Sequence, residues 1–338
     1  MSSTHIRSFH IHGINLRIET DIPVLARGVT ELLNEFPQPS GINGNSVTIA
    51  CRIVEGLGDG SRKRERYRRG EQLYTSSPTD TLDLEALGIK LDVWRDGSSL
   101  LLDFHRHGWL LLDPEQGALE GCLTEPITLH HQIVGSLFCL MPLSRLLAGR
   151  GLYMIHAAAL ERNGRGVLMP GVSRSGKSTS CVSLMRAGYR CLSDDKPFLR
   201  GNGNGIELLA FPEKLDVTDQ TVSFIPELCT ASTALTPGYR KKQFHPEAIY
   251  PGSTVNAVQP DLILFPRISG ESASRVERLP KAKALEALLP HSLLVFDRTT
   301  SADHFQLLAR LVAGADCYRL HFGRNVLDLP RLIDPLLG

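Results

Sequence analysis

Eight consecutive residues, Gly171-Val172-Ser173-Arg174-Ser175-Gly176-Lys177-Ser178, fit the pattern G-x-x-x-x-G-K-[ST] at every fixed position. Each fixed type has a chemical reason. Glycines let backbone amides curl around phosphate oxygens, and the N-terminus of a following helix favours negative charge. Lys177 is expected to reach the β- and γ-phosphates of ATP or GTP, and the Ser178 hydroxyl to ligate Mg²⁺. The stretch expected to hold the phosphates runs from Gly171 to Thr179. Composition alone produces such a match in roughly one chain per hundred of this length. An apolar strand before the loop and a helical pattern after it lower that figure further.

Phosphate transfer also needs a carboxylate near the metal, and a kinase needs a group that takes the acceptor's proton. Three candidates end apolar runs: Asp113, Asp297 and the pair Asp194-Asp195. Asp113 precedes the loop and is expected in another domain. The pair stands one helix and one strand beyond the loop, which in a parallel sheet brings it beside the phosphates. Adjacent carboxylates repel, which raises the pKa of one of them toward useful base strength.

The elements that must position these residues follow from periodicity. Residues 153–160 and 166–169 read as strands, with Asn163-Gly164 as the turn between them. Residues 177–187 read as a helix ended by Gly188, and 189–192 as a strand leading to the aspartates. Residues 262–265 and 293–296 look like buried strands, 302–313 like a helix and 317–322 like a strand. The first part is different. Residues 6–18, 47–54, 100–102 and 109–112 alternate as strands, and 129–150 shift to a helical period. The expected organisation is a β-rich N-terminal domain over 1–125, for substrate or partner docking, and an α/β P-loop domain over 126–338.

Composition narrows the classes. With 42% apolar and 22% charged residues the 338-residue chain can bury a sizeable core, and its net charge of +1 recruits neither nucleic acid nor an anionic membrane. Seven scattered cysteines without a Cys-x-x-Cys pair argue against a disulfide framework and a zinc ribbon. No apolar run is long enough to span a bilayer, since residues 133–147 are interrupted and read as a packed helix. A cytoplasmic protein without a membrane partner is expected.

The order His156-Ala157, Gly166-Val167-Leu168-Met169-Pro170-Gly171, Ser175-Gly176-Lys177-Ser178-Thr179 and Ala187-Gly188-Tyr189-Arg190-Cys191-Leu192-Ser193-Asp194-Asp195 resembles the C-terminal catalytic domain of the HPr serine kinase/phosphorylase family. In particular it resembles the HPr-kinase-related proteins of peptide-modification systems, such as lasso-peptide kinases. The likeness is good over about residues 150–200, only in outline beyond, and absent from the first 125. It implies a phosphotransferase fold related to phosphoenolpyruvate carboxykinase, acting on a serine hydroxyl. It also implies Asp194 as general base, His156 as the neighbour that orients it, and Asp195 with Ser178 around the metal. The resembling kinases tend to self-associate, so a homo-oligomer is compatible with the likeness. Two departures matter. Arg174 stands where the family has a glycine, and Phe211-Pro212-Glu213-Lys214 stands where a glycine-rich segment accompanies the reverse reaction. A kinase without phosphorylase activity, and with an acceptor other than HPr, is therefore expected.

Arg240-Lys241-Lys242 follows a Thr-Pro-Gly turn, and Arg240 and Lys242 are candidates to clamp phosphate or an acidic acceptor. The denser run from Arg62 to Arg69 reads as a solvated face or a docking surface for an acidic partner, with no nucleic acid expected. The close pairs His10/His12, His105/His107 and His130/His131 lack the three or four ligands of a zinc site. The expectation is a serine kinase acting on a peptide or small protein with ATP or GTP and Mg²⁺. Its rivals are a small-molecule kinase of the same fold and a nucleotide-gated binding protein.

Overall fold

The computed structural model describes residues 4–39, 47–56, 61–76, 84, 87–123, 129–172, 174–203, 205–230, 241–292 and 298–338. Ser173, Arg240, Asp297 and the strand expected at 293–296 lie outside them. The chain divides into two compact units, Met1–Arg150 with Leu294–Ser301, and Gly151–Leu293 with Ala302–Gly338. The division falls after Arg150 and not at the expected 125/126, because the helical stretch beginning at His131 belongs to the first unit.

That unit is a mixed sheet of eight strands. It opens with a hairpin, His5–Ile11 and Ile14–Thr20, whose turn residues His12 and Gly13 both have positive φ, the backbone that matches a tight two-residue turn to strand twist. Residues expected as one strand over 6–18 are therefore two. The helix Pro23–Leu33 packs against the helical stretch from His131. A Cβ on Gly28 would lie 2.0 Å from the His131 carbonyl oxygen, so only glycine admits this approach. His131–Ala148 is long and apolar enough to cross a membrane by composition, but 78% of it is buried inside the protein, as a core helix would be.

The basic run is a short helix, Ser61–Tyr67, and the residues just after it. Its cations face carboxylates of the same unit. Lys63 meets Glu120 at 2.6 Å and Arg66 meets Asp96 at 3.6 Å, while Arg64 and Arg68 both engage the fully buried Asp103. Much of the charge that suggested a docking face is thus neutralised locally.

The second unit centres on a six-stranded sheet, in spatial order Arg190–Ser193, Ala157–Arg162, Arg165–Pro170, Pro260–Ile268, Asp316–Phe322 and Arg275–Arg278. Its three central strands carry near-continuous apolar runs because both faces are covered. Val167 and Met169 pack with the helix Lys177–Arg186 and the terminal helix Leu329–Leu337, while Leu168 faces Leu307, Leu308 and Leu311 of the helix Arg298–Gly314. A second sheet of four short strands includes Tyr153–Met154 paired with Phe198–Asn202.

Topology, more than composition, brings the chemistry together. Arg190–Ser193 and Arg165–Pro170 are each antiparallel to Ala157–Arg162, which lies between them. Two reversals make the outer strands run the same way, so both end at the edge where the middle strand begins. The register confirms it, with Ala157 opposite Pro170 and Ala159 opposite Ser193. The expected direct parallel neighbourhood of the loop strand and the aspartate strand is thus replaced by a strand inserted between them. The strand expected over 153–160 also breaks. Its first half joins the four-stranded sheet and its second half the six-stranded one, leaving His156 at the crossing.

Candidate active site

Three chain segments meet at this sheet edge. The strand Arg165–Pro170 leads into the glycine loop, and the helix Lys177–Arg186 leaves it. Gly176, with φ 98°, holds the left-handed conformation that turns the chain into the helix. A Cβ there would also lie 3.1 Å from Phe322. Arg174 takes φ 65° where the resembling loops have glycine, a conformation that costs a non-glycine residue on the order of 1–3 kcal/mol. The Ser175 amide donates to the Val172 carbonyl at 3.2 Å, closing the turn. Val172 is 60% exposed at the loop's tip.

Lys177 is 7% exposed, and its ammonium turns back into the loop. It donates to the Gly171 carbonyl, to the Val172 carbonyl at 3.1 Å, and faces Nε2 of His156 at 3.1 Å. Burial lowers its pKa, against the attraction of Asp195 and Asp194. An ammonium only donates, so Nε2 of His156 accepts and the ring proton sits on Nδ1. That Nδ1–H reaches Oδ1 of Asp195 at 2.9 Å. His156 is anchored through its own amide, which donates to the His291 carbonyl at 2.8 Å.

The aspartates differ sharply. Asp194 is 6% exposed and Oδ1 finds no partner, while the neighbouring Ser178 hydroxyl favours its ionised form. Burial pushes its pKa up to about 7, with Glu213 and Asp195 adding and Ser178 and Lys177 opposing. The Asp195 side chain is 49% exposed. Desolvation works to raise its pKa, but Lys196 and His156 outweigh it and hold the carboxyl well below the usual range. The expected pairing is therefore crossed. His156 holds Asp195, not Asp194, and the Ser178 hydroxyl stands on the Asp194 side. The physical reason is alternation: neighbouring residues leaving a strand end point opposite ways, one toward the helix and the other toward the crossing at His156.

Among the described residues no three His, Cys, Asp or Glu side chains form a metal cluster. A partnerless buried carboxylate oxygen beside a serine hydroxyl nevertheless suits Mg²⁺. That ion prefers oxygen ligands and takes most of them from phosphates and water.

Of the two basic residues expected at the site, Arg240 is outside the described residues. Lys242 pairs outward with Asp219 at 3.3 Å, where the carboxylate is 80% exposed. Lys241, not singled out from the sequence, is the one near enough to Lys177 to depress its pKa. It stands on the strand Lys241–Phe244, paired with Leu215–Thr218. From the end of that hairpin, Thr221 meets Thr179 at 2.8 Å, hydroxyl to hydroxyl.

Three further residues escaped the sequence reading. Glu213 accepts the Ser193 hydroxyl at 2.7 Å and the Lys196 ammonium. Lys196 lies 3.6 Å from Oδ2 of Asp195. His291, beside His156, is pushed down to about 4 by burial and the neighbouring His156 and Lys177, so it is neutral at pH 7. Lys196 follows the aspartates directly and was visible. No spacing rule marks Glu213 or His291.

No family model matches this chain, and no curated protein matches it. Among solved structures it is similar to the Hpr(Ser) kinase/phosphatase from Coxiella burnetii, at 17% identity and a TM-score of 0.28, over 54% of this chain and 92% of that one. A likeness that low carries neither fold nor function across.

Proposed function

We propose that this chain is a P-loop kinase that uses ATP or GTP with Mg²⁺ to phosphorylate a serine hydroxyl of a peptide or small protein, without the reverse phosphorylase reaction. One observation carries the reading. Lys177, His156 and Asp195 form a continuous chain of contacts that sets a half-exposed carboxylate beside a buried lysine of the glycine loop. A phosphoryl group held by that lysine would have an ionised acceptor for a hydroxyl proton at its flank.

The residues divide the work. The loop amides of Gly171, Val172, Ser173, Arg174, Ser175 and Gly176 and the Lys177 ammonium hold phosphate oxygens, the ammonium exchanging its carbonyl partners for them. Ser178 and Asp194 would hold Mg²⁺, which when bound supplies charge neutralisation of the transferring group. Asp195, with one oxygen on His156, takes the acceptor's proton as the serine oxygen attacks. Exposure decides which aspartate does this, since a general base must touch its substrate, even though Lys196 and His156 make Asp195 the weaker base of the two. The deeply buried Asp194 is out of an acceptor's reach.

The test is transfer from γ-labelled ATP with Mg²⁺ to small peptides and proteins encoded beside this gene. Label on a serine of one of them is expected. Label appearing only on a small molecule, or nucleotide bound without transfer, defeats the peptide-kinase reading.

Lys241, paired with Asp216 at 3.8 Å on the neighbouring strand pair, is the further cation whose charge reaches Lys177. Lys241→Met should raise the nucleotide KM about tenfold, the effect of losing one charge-assisted contact of about 1.5 kcal/mol. Lys242→Met should leave KM within twofold in the same steady-state assay. Equal effects at both positions would show that only general charge matters.

A further inference from the structure

We infer that Lys196 is a positioning residue, a buried internal counter-cation that fixes which oxygen of Asp195 is turned toward His156 and which stays free for the acceptor. The inference rests on the kinase reading above for its consequence in turnover, but not for its geometry.

Lys196 leaves the same turn as the aspartates, and its side chain is only 15% exposed. Its ammonium is bound on three sides. It pairs with Oε2 of Glu213, lies 3.6 Å from Oδ2 of Asp195, and stands 5.0 Å from the centre of the Phe211 ring. Glu213 is fixed in turn by the Ser193 hydroxyl at 2.7 Å. Ser193 Oγ also accepts the backbone amides of Asp195 at 3.2 Å and Lys196 at 2.9 Å. The Asp195 carbonyl accepts the Ala157 amide at 3.0 Å. The Asp195 backbone and its Oδ1 are therefore held from separate directions, while Oδ2 faces Lys196 at a distance that leaves it open to an acceptor.

The arrangement answers an electrostatic problem. Asp194, Asp195 and Glu213 bring three carboxyl groups together at a mostly buried strand end, where like charges repel strongly. One fixed ammonium between Glu213 and Asp195 offsets that repulsion. A surface lysine would not, because side-chain motion and solvent would screen it. Without Lys196, Asp195 would rotate away from Glu213, and the His156 Nδ1–H would lose its acceptor.

The experiment compares Lys196→Met, Lys196→Arg and the double variant Lys196→Met/Glu213→Gln, which leaves no stranded buried glutamate and guards against simple misfolding. Histidine-selective ¹⁵N NMR reads the His156 Nδ1–H directly, whether or not any acceptor is known. A downfield, slowly exchanging proton that disappears in His156→Gln is expected in the unaltered protein. It should be lost in Lys196→Met and in the double variant, and retained in Lys196→Arg. In the γ-phosphate assay, Lys196→Met should lower kcat at least tenfold with nucleotide KM within twofold, and Lys196→Arg should recover much of it. If the double variant regains the proton signal or kcat, Lys196 serves only to neutralise Glu213 and the inference fails. It also fails if Lys196→Met keeps both. A protein that shows the predicted NMR pattern but no phosphotransfer would overturn the kinase reading while leaving the role of Lys196 intact.

Discussion

Asp195→Asn should lower turnover by about 10²–10⁴-fold, the usual contribution of a positioned general base, while nucleotide affinity stays within about twofold. The exchange keeps shape and volume and removes only the charge that accepts the proton. Ser178 and the loop amides, expected to grip the nucleotide, make no contact with it, and Lys177 is linked to it only through His156. Asp195 also touches His156 and Lys196, so some loss of order around the carboxylate is included in the effect. Initial rates with γ-labelled ATP, beside titration with a fluorescent nucleotide, separate the outcomes. A joint loss of binding and turnover, sensitive to Mg²⁺ concentration, would instead place Asp195 on the metal, as the family resemblance assigned it.

The second large effect concerns its neighbour and has opposite signs for stability and for function. In the metal-free protein burial pushes the Asp194 carboxyl up to about 7, from an ordinary value near 3.8. The folded state thus prefers the protonated form. The contribution of this group to stability is complete below the ordinary carboxylate range and is lost as pH rises through about 7. At 1.36 kcal/mol per pKa unit, ionised Asp194 costs the fold on the order of 4 kcal/mol above that pH, as an upper bound. Asp194→Asn never ionises. In EDTA at pH 8 it should raise the melting temperature by several degrees, and at pH 5 by almost nothing. The same variant should require at least tenfold more Mg²⁺ for turnover, because an amide oxygen is a poorer ligand for a hard cation. Thermal unfolding at the two pH values, with and without Mg²⁺, tests both halves. A variant less stable than the unaltered protein at pH 8 would show that Asp194 is ionised and already compensated without metal.

Much of the site was legible along the chain. The glycine loop, its lysine and serine, the helix after it and the aspartates two elements later all stand within a span of 25 residues, Gly171 to Asp195. Local rules suffice there. Gly176 must turn left-handed, an apolar run must be a buried strand, and the next helix must begin at Lys177. The buried strand around 262–265 and the helix over 302–313 were legible for the same reason, each being one uninterrupted pattern.

Other features depend on what lies across from them. His156 looked like part of a single strand, because an apolar alternation runs through it. Only pairing with two different sheets shows that the strand breaks there. The basic run at 62–69 is largely exposed, as a solvated face would be, but sequence alone does not show the carboxylates folded against its cations. The expected 125/126 boundary and the compact-unit division after Arg150 differ for a similar reason. The change from strand to helix period near 129 is real, but the helix stays with the first unit through the glycine contact at Gly28.

What the sequence determined by itself is the set of candidate groups and their order, since a glycine loop and the carboxylates beyond it are defined by residue types at short spacing. Only the tertiary structure decided which aspartate serves which partner. It sets Asp194 beside Ser178 and Asp195 on His156, recruits Glu213 across 18 residues from the pair, and pairs Lys241 with Asp216 and Lys242 with Asp219. Those choices rest on strand register, on the direction each side chain leaves its strand, and on burial. All three are set by chain segments that meet only after folding.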